Sequence, residues 1–183
     1  MRLAGLRSGR TRVAVLPFIA SALVLGGCAD LSQLQFHADH DVKFVAPEAR
    51  AKLSVPVTLR WEVDGFRVAG PDSGEAPSKD AGYFALFVDR APIKPGQTLA
   101  AVGGDDPACA DAAHCLTKSY LADRQVYWTT DLSYTLRQVP SLSDNRDNWQ
   151  LHEVTIVLLD TAGRRIGEHA YFRDFQLKRD QES

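Results

Sequence analysis

The chain has 183 residues, 45% of them hydrophobic, with 21 Lys plus Arg against 23 Asp plus Glu. That length fits one domain behind a short N-terminal segment, and the apolar share supports a packed core. Beyond residue 12 no basic block occurs, which excludes nucleic acid as a partner class and an electrostatic grip on anionic lipid.

At the N-terminus, Arg2, Arg7, Arg10 and Arg12 stand without an acidic neighbour ahead of an almost wholly apolar run over residues 13–25. Gly26 and Gly27 follow, so a charged region, an apolar region and small residues at a cleavage point describe a secretory signal. The stretch Leu25-Gly26-Gly27-Cys28 resembles a bacterial lipobox. The resemblance implies that residues 1–27 are removed and that the Cys28 thiol carries diacylglycerol as the first mature residue. A retained membrane anchor and an ordinary secretory signal are the competing readings. Residues 13–27 make roughly 22 Å of helix at 1.5 Å per residue, short of a bilayer core of roughly 30 Å, and Pro17 interrupts them. Several acyl chains at about 0.8 kcal/mol per buried methylene make attachment to the membrane effectively permanent. In enterobacterial lipoproteins an aspartate after the cysteine signals retention at the inner membrane. Ala29 therefore permits, by that resemblance, outer-membrane sorting, and the expected location is the cell membrane or the outer membrane, with the anchored domain facing the periplasm or exterior. Removal of the four signal arginines leaves 17 basic and 23 acidic residues, near −6.

Residues 28–41 are polar and read as a tether. His37, Asp39, His40 and Asp41 put four metal-type ligands within five residues, a set suited to zinc or copper. With nothing rigid to hold them, a solvated linker and no metal are expected. Residues 42–45 look like a first strand ended by Pro47. Over residues 55–63, Val55, Val57, Leu59, Trp61 and Val63 alternate with Pro56, Thr58, Arg60 and Glu62, the pattern of a half-buried strand. Residues 66–82, punctuated by glycine and proline, form a long loop carrying Asp72, Glu75 and Asp80. The continuous apolar run 83–88 predicts a central strand covered on both faces.

Residues 100–124 hold Cys109 and Cys115 around Ala-Asp-Ala-Ala-His, within an alanine-rich piece that predicts one short helix. In an oxidising compartment such a local pair closes as a disulfide, worth roughly 2 kcal/mol for so short a ring. A zinc site with His114 is the alternative, and it lacks a second ligand pair at usable spacing. Strand candidates follow at 125–130 and 133–139, with Tyr127, Trp128 and Tyr134 readable as an aromatic ligand platform or as packing. Asp144, Asn145, Asp147 and Asn148 offer oxygen ligands, but their spacing misses the calcium-loop pattern. Residues 153–159, a turn at 160–163 closed by Gly163, and 166–177 read as a hairpin.

About seven short strands and few helix signals predict an all-β domain over residues 42–178, arranged as a β-sandwich, with a short tail at 179–183. Pro56-Val57-Thr58-Leu59-Arg60-Trp61, together with Val154-Thr155-Ile156-Val157-Leu158-Leu159-Asp160-Thr161-Ala162-Gly163, resembles bacterial immunoglobulin-like or fibronectin-III-like domains. The inter-sheet disulfide of antibody domains is missing, and the 90–124 excursion is longer than such domains carry. The precursor as a whole also resembles small lipoproteins of actinobacterial type, which supply no activity to carry over.

Motifs for catalysis are wanting. There is no Gly-x-Ser-x-Gly, no phosphate-cradling glycine loop and no His-Glu-x-x-His, and Gly70-Pro71-Asp72-Ser73-Gly74 has its serine misplaced. His152-Glu153 and Glu168-His169 sit at opposite ends of the hairpin, with His152 and Glu153 expected opposite Tyr171 and Phe172 in cross-strand hydrogen bonding. In an immunoglobulin-like sandwich the loop after the second strand meets the last hairpin turn. That analogy sets Arg164 and Arg165 toward Asp72, Glu75 and Asp80 as candidate binding loops. The expectation is a non-enzymatic, cofactor-free binding or structural module, lipid-anchored in the envelope and holding a protein or glycan partner. The alternatives are an accessory subunit of an envelope assembly or transport complex, docked through the excursion, and a β-sandwich hydrolase.

Overall fold

A computed structural model describes residues 40–104, 106–109, 117–140 and 148–178. Cys28, Cys115, His37, Asp39, Asp144, Asn145 and Asp147 lie outside the described residues. Nine strands are described. They are β1 (Asp41–Ala46), β2 (Ala51–Leu53), β3 (Val57–Asp64), β4 (Arg67–Val68), β5 (Ala81–Val88), β6 (Val126–Thr129), β7 (Ser133–Leu136), β8 (Trp149–Asp160) and β9 (Tyr171–Lys178). One short helix, α1 (Lys118–Ala122), and two 3-10 turns at Leu99–Val102 and Pro107–Cys109 complete the set. The domain is all-β, as the alternation predicts. The two strands beyond about seven are β2 and β4, only three and two residues long, too short for a side-chain period to register. None of the described helices is long and apolar enough to cross a membrane.

Two sheets face each other. The smaller has the order β1-β3-β7, and the larger runs β2-β9-β8-β5-β4, with β6 also paired to β5. In β3, Val57, Leu59 and Trp61 are buried while Thr58, Arg60 and Glu62 are exposed, because one face of this sheet meets water. The inward residues pack on Phe84, Leu86 and Val88 of β5, Val154, Ile156 and Leu158 of β8, and Phe175 and Leu177 of β9. The Trp61 and Phe84 rings meet edge to face at 5.3 Å.

All eight residues of β5 are buried, and the reason is a third layer. Ile93, Leu99, Val102 and Leu121 cover the outward residues Tyr83, Ala85 and Phe87 of β5 and Val157 and Leu159 of β8. The 90–124 excursion is thus a cap on the large sheet. Thr117 starts α1 by accepting from the Tyr120 N–H, which satisfies one of the donors that every helix start leaves unpaired.

β6 and β7 are adjacent in sequence but lie in different sheets, so residues 130–132 carry the chain from one layer to the other. One expectation needs correction. In the β8–β9 hairpin His152 stands opposite Phe175 and Glu153 opposite Asp174, while Tyr171 faces Ile156. The long 161–170 connection shifts the return strand from the register that a tight turn would impose.

On one flank of the sandwich, Tyr171 donates through its hydroxyl to the His40 carbonyl, and Arg173 donates to the Phe44 carbonyl at 3.4 Å. His40 is buried and Asp41 already belongs to β1, so the last two residues of the expected 28–41 tether are packed with the described fold. The opposite flank, between β6 and β7, has no bridging strand among the described residues.

Candidate functional site

That open flank forms a cleft of about 630 Å³, lined by Gln125, Tyr127, Tyr134, Thr135, Arg137 and Gln138 among others. Tyr127 from β6 and Tyr134 from β7 face each other across the change of sheet, ring centres 5.2 Å apart and tilted by 39°. Both rings also rest on the sandwich core. Burial pushes both phenols above their ordinary range, helped at Tyr127 by its neighbour Tyr134. Gln125 heads β6 with φ of +58°, a left-handed conformation uncommon for a residue with a side chain. Its amide is held at both ends: Nε2 donates to the Ala122 carbonyl at 3.3 Å, and Oε1 accepts from the Tyr127 hydroxyl at 3.4 Å.

Of the three aromatic residues readable as a platform or as packing, the structure brings Tyr127 and Tyr134 together and separates Trp128. Successive side chains of a strand point to opposite faces. Trp128 accordingly sits on the cap side of β6, edge to face with Tyr83 at 5.5 Å and with the Lys118 ammonium 4.4 Å above its ring.

At the loop end, the 66–82 loop and the β8–β9 connection do meet, through the Thr161 hydroxyl donating to the Glu75 carbonyl at 3.0 Å. The charged side chains pair otherwise than expected. Glu75 takes Arg67 at 2.5 Å, and the guanidinium's hydrogen bond holds the Glu75 carboxyl below its usual range. Asp80 lies 3.7 Å from His40 Nε2 and 3.9 Å from Lys79 Nζ, and Asp72 is exposed. Arg164 donates to the Gly96 carbonyl at 2.5 Å. Arg165 turns inward and is buried. Its guanidinium donates to the carbonyls of Ile93 at 2.5 Å, Glu168 at 2.7 Å and His169 at 3.1 Å. Loss of water lowers its pKa, against the opposing pull of Glu168. This arginine ties the cap to the hairpin connection and points away from the acidic loop.

His40 and His152 serve the fold. His152 is 2% exposed, with Nδ1 2.7 Å from Asp89 Oδ2 and its ring stacked on Phe175. Asp89, at φ +52° just after β5, also accepts from the Glu153 N–H at 2.9 Å through Oδ1. Its own N–H donates to the Glu153 carbonyl at 2.8 Å. His40 Nε2 donates to the Lys79 carbonyl at 2.8 Å, and His169 is exposed, stacked on Tyr171. Among the described residues no group of three or more His, Cys, Asp and Glu is placed to hold a metal ion. Asn148 is exposed.

Cys109 lies in the cap with Sγ 2.8 Å from the Tyr120 hydroxyl. That hydroxyl donates to Asp106 at 2.8 Å, and Arg124 reaches the same carboxylate at 2.5 Å while stacking 3.6 Å above the Tyr120 ring. A Cβ on Gly103 would stand 2.2 Å from the cysteine sulfur, so the turn requires glycine there.

Asp89 and Gln125 did not stand out in the sequence reading. The one local signal for Asp89 is a carboxylate directly after an unbroken apolar run, where the chain must turn. Nothing in the sequence marks Gln125. No family model, no curated protein and no solved structure matches the chain.

Proposed function

We propose that the protein is an envelope lipoprotein, acylated at Cys28, whose immunoglobulin-like β-sandwich holds a protein or glycan partner close to the membrane without catalysing a reaction. The observation that carries this reading is Leu25-Gly26-Gly27-Cys28 at the end of an arginine-led apolar segment, since a thiol at that point is what lipid attachment requires.

The strand order supports the immunoglobulin-like arrangement. β1 pairs antiparallel with β3 in the small sheet, while β2 runs parallel to β9 at the edge of the large one, as a split first strand does. β3 and β7 then correspond to strands B and E, and β5, β6, β8 and β9 to C, C′, F and G. The Thr161 to Glu75 contact joins the loops that this assignment puts at one end.

A non-catalytic role draws support from the interior polar groups. The Asp89–His152 pair clamps β5 to β8, and Arg165 is occupied by three backbone carbonyls. The alternative of an accessory subunit docked through the excursion is weakened, because Leu99, Val102 and Leu121 are spent on the sheet beneath. A Cys109–Cys115 disulfide belongs to the same proposal and would pin the outer edge of that cap.

Metabolic labelling with an alkyne fatty acid tests the address. Wild-type protein takes up label on an N-terminal peptide beginning at Cys28, and Cys28→Ser does not. An unlabelled protein with a different mature terminus would sink the lipoprotein reading. In-cell crosslinking of the labelled protein, followed by mass spectrometry, tests the module. A discrete envelope protein or cell-wall glycan crosslinked to it supports the module, and self-crosslinks alone would refute it.

A further inference from the structure

We propose that the cleft between β6 and β7 is a carbohydrate site, taking a short oligosaccharide across the rings of Tyr127 and Tyr134. The inference rests on the binding-module reading and names its ligand class.

Shape comes first. The 630 Å³ cleft lies within the range of about 300–1,000 Å³ found for small-ligand sites. It shares Asp123, Gln125 and Pro140 with a second hollow of about 440 Å³ that reaches Asp89 and Arg90. Hollows that share walls offer neighbouring places for successive units of a chain-like ligand.

Chemistry comes second. A pyranose presents a flat C–H face and a rim of hydroxyls. The first calls for an aromatic face and the second for planar side chains that donate and accept in one plane. Tyr127 and Tyr134 supply the faces, and Gln125, Gln138, Asp123 and Arg137 supply the planar polar groups. A phenol is protonated at neutral pH in any case, so the Tyr134 hydroxyl can donate, while the Tyr127 hydroxyl donates to Gln125 and is left as an acceptor.

Preorganisation comes third. The Gln125 amide is fixed between the Ala122 carbonyl and the Tyr127 hydroxyl, and its backbone occupies a conformation with φ of +58°. Strain of this kind persists where the surroundings impose it, and it clusters at binding sites.

An extended peptide is the main competitor, since both strands bordering the cleft are edges. Each is only four residues long, and a short edge is a poor template for strand addition. The accessible lining of the cleft is more polar than apolar although Leu136, Val139 and Pro140 contribute to it, which favours a hydroxyl-rich ligand over an apolar peptide anchor.

The test applies the full-length protein in detergent micelles to an array of soluble oligosaccharides built from neutral hexoses and N-acetylhexosamines. The strongest binder is then titrated by calorimetry. Saturable binding is expected, weakened about tenfold or more by Tyr127→Ala and by Gln138→Ala, the loss expected when an aromatic or hydrogen-bonding contact is removed. Tyr127→Phe keeps the ring but frees one end of the Gln125 amide, and it is expected to lose clearly less than Tyr127→Ala. Gln138 is exposed, so its variant folds even where a tyrosine variant fails. The proposal is overturned if no array member binds, if both alanine variants bind as wild type, or if Tyr127→Phe loses as much as Tyr127→Ala. Preferential binding of an unstructured peptide pool would overturn it as well. Fatty-acid labelling of Cys28 is read separately, so failure of the envelope address and failure of the sugar site give different results.

Discussion

Asp89 shows how much a single carboxylate carries in this domain. It accepts from the Glu153 N–H and bonds the nearly inaccessible His152 ring. Asp89→Ala strands the buried His152 ring, and a buried unpaired group costs about 1–3 kcal/mol, whereas the exposed Glu153 N–H can turn to water. A stability loss of roughly 1–3 kcal/mol is therefore expected as a fall in the urea midpoint. Asp89→Asn keeps a polar partner for His152 and an acceptor for Glu153 and tolerates the left-handed backbone, so its loss is smaller by at least half. Equal losses would mean that the charge, and not the hydrogen bonds, matters. Tyr83 gives a pH-dependent counterpart. Burial first, and the Asp160 carboxylate second, push its phenol up to about 12. The unfolded chain ionises near pH 10 and the folded one only near 12, so between these values the folded state binds the extra proton. The associated stability, roughly 2–3 kcal/mol, is complete below pH 10 and is lost as pH rises toward 12. Denaturant midpoints measured from pH 8 to 12 are expected to fall above pH 10, less steeply in Tyr83→Phe.

At the scale of elements, the contact between β5 and β8 decides whether the large sheet forms. A Cβ on Gly82 would sit 1.8 Å from the Leu159 carbonyl oxygen, a backbone atom that cannot turn aside. Gly82→Ala is expected to separate the strands locally and cost upwards of about 3 kcal/mol, beyond ordinary overpacking. Gly74→Ala serves as the control. Its site is open, with only a φ of +74° to object, and it loses about 1 kcal/mol. Thermal melts of the two variants check the contrast. Elements of this kind were unevenly legible in the sequence. Val57, Leu59 and Trp61 declared β3 because one face meets core and the other water, and residues 83–88 declared a strand buried twice over. The cap was not legible: its apolar anchors Ile93, Leu99, Val102 and Leu121 have no shared period, since each reaches the sheet from a different turn. The hairpin register was missed for a related reason, because a ten-residue connection leaves the pairing to the core and not to the turn. Of the candidate cleft, Tyr127 and Tyr134 were visible as aromatics. Their meeting across two sheets depends on where residues 130–132 take the chain, which no local pattern encodes.

For the molecule as a whole, the two apolar clusters share their central strands. β5 and β8 give Phe84, Leu86, Ile156 and Leu158 to the sandwich interior, and Tyr83, Phe87, Val157 and Leu159 to the layer beneath the cap. A cap built on the back of strands that also form the main core cannot detach without exposing one face of both. The loop-like appearance of residues 90–124 in the sequence would instead predict a separately melting appendage. The shared strands argue for one cooperative unit, as small domains commonly are. Leu121→Ala in the cap and Leu59→Ala in the sandwich each remove a side chain 1% exposed or less, at a cost of about 2–5 kcal/mol. Both variants are expected to move a single unfolding transition to lower urea, with the slope of wild type and with tryptophan fluorescence and far-UV circular dichroism coincident. Trp128 reports from the cap side and Trp61 from the interior, so the fluorescence sees both layers at once. A biphasic curve in Leu121→Ala, its early phase confined to fluorescence, would show that the cap opens alone and that the molecule is two cooperative units.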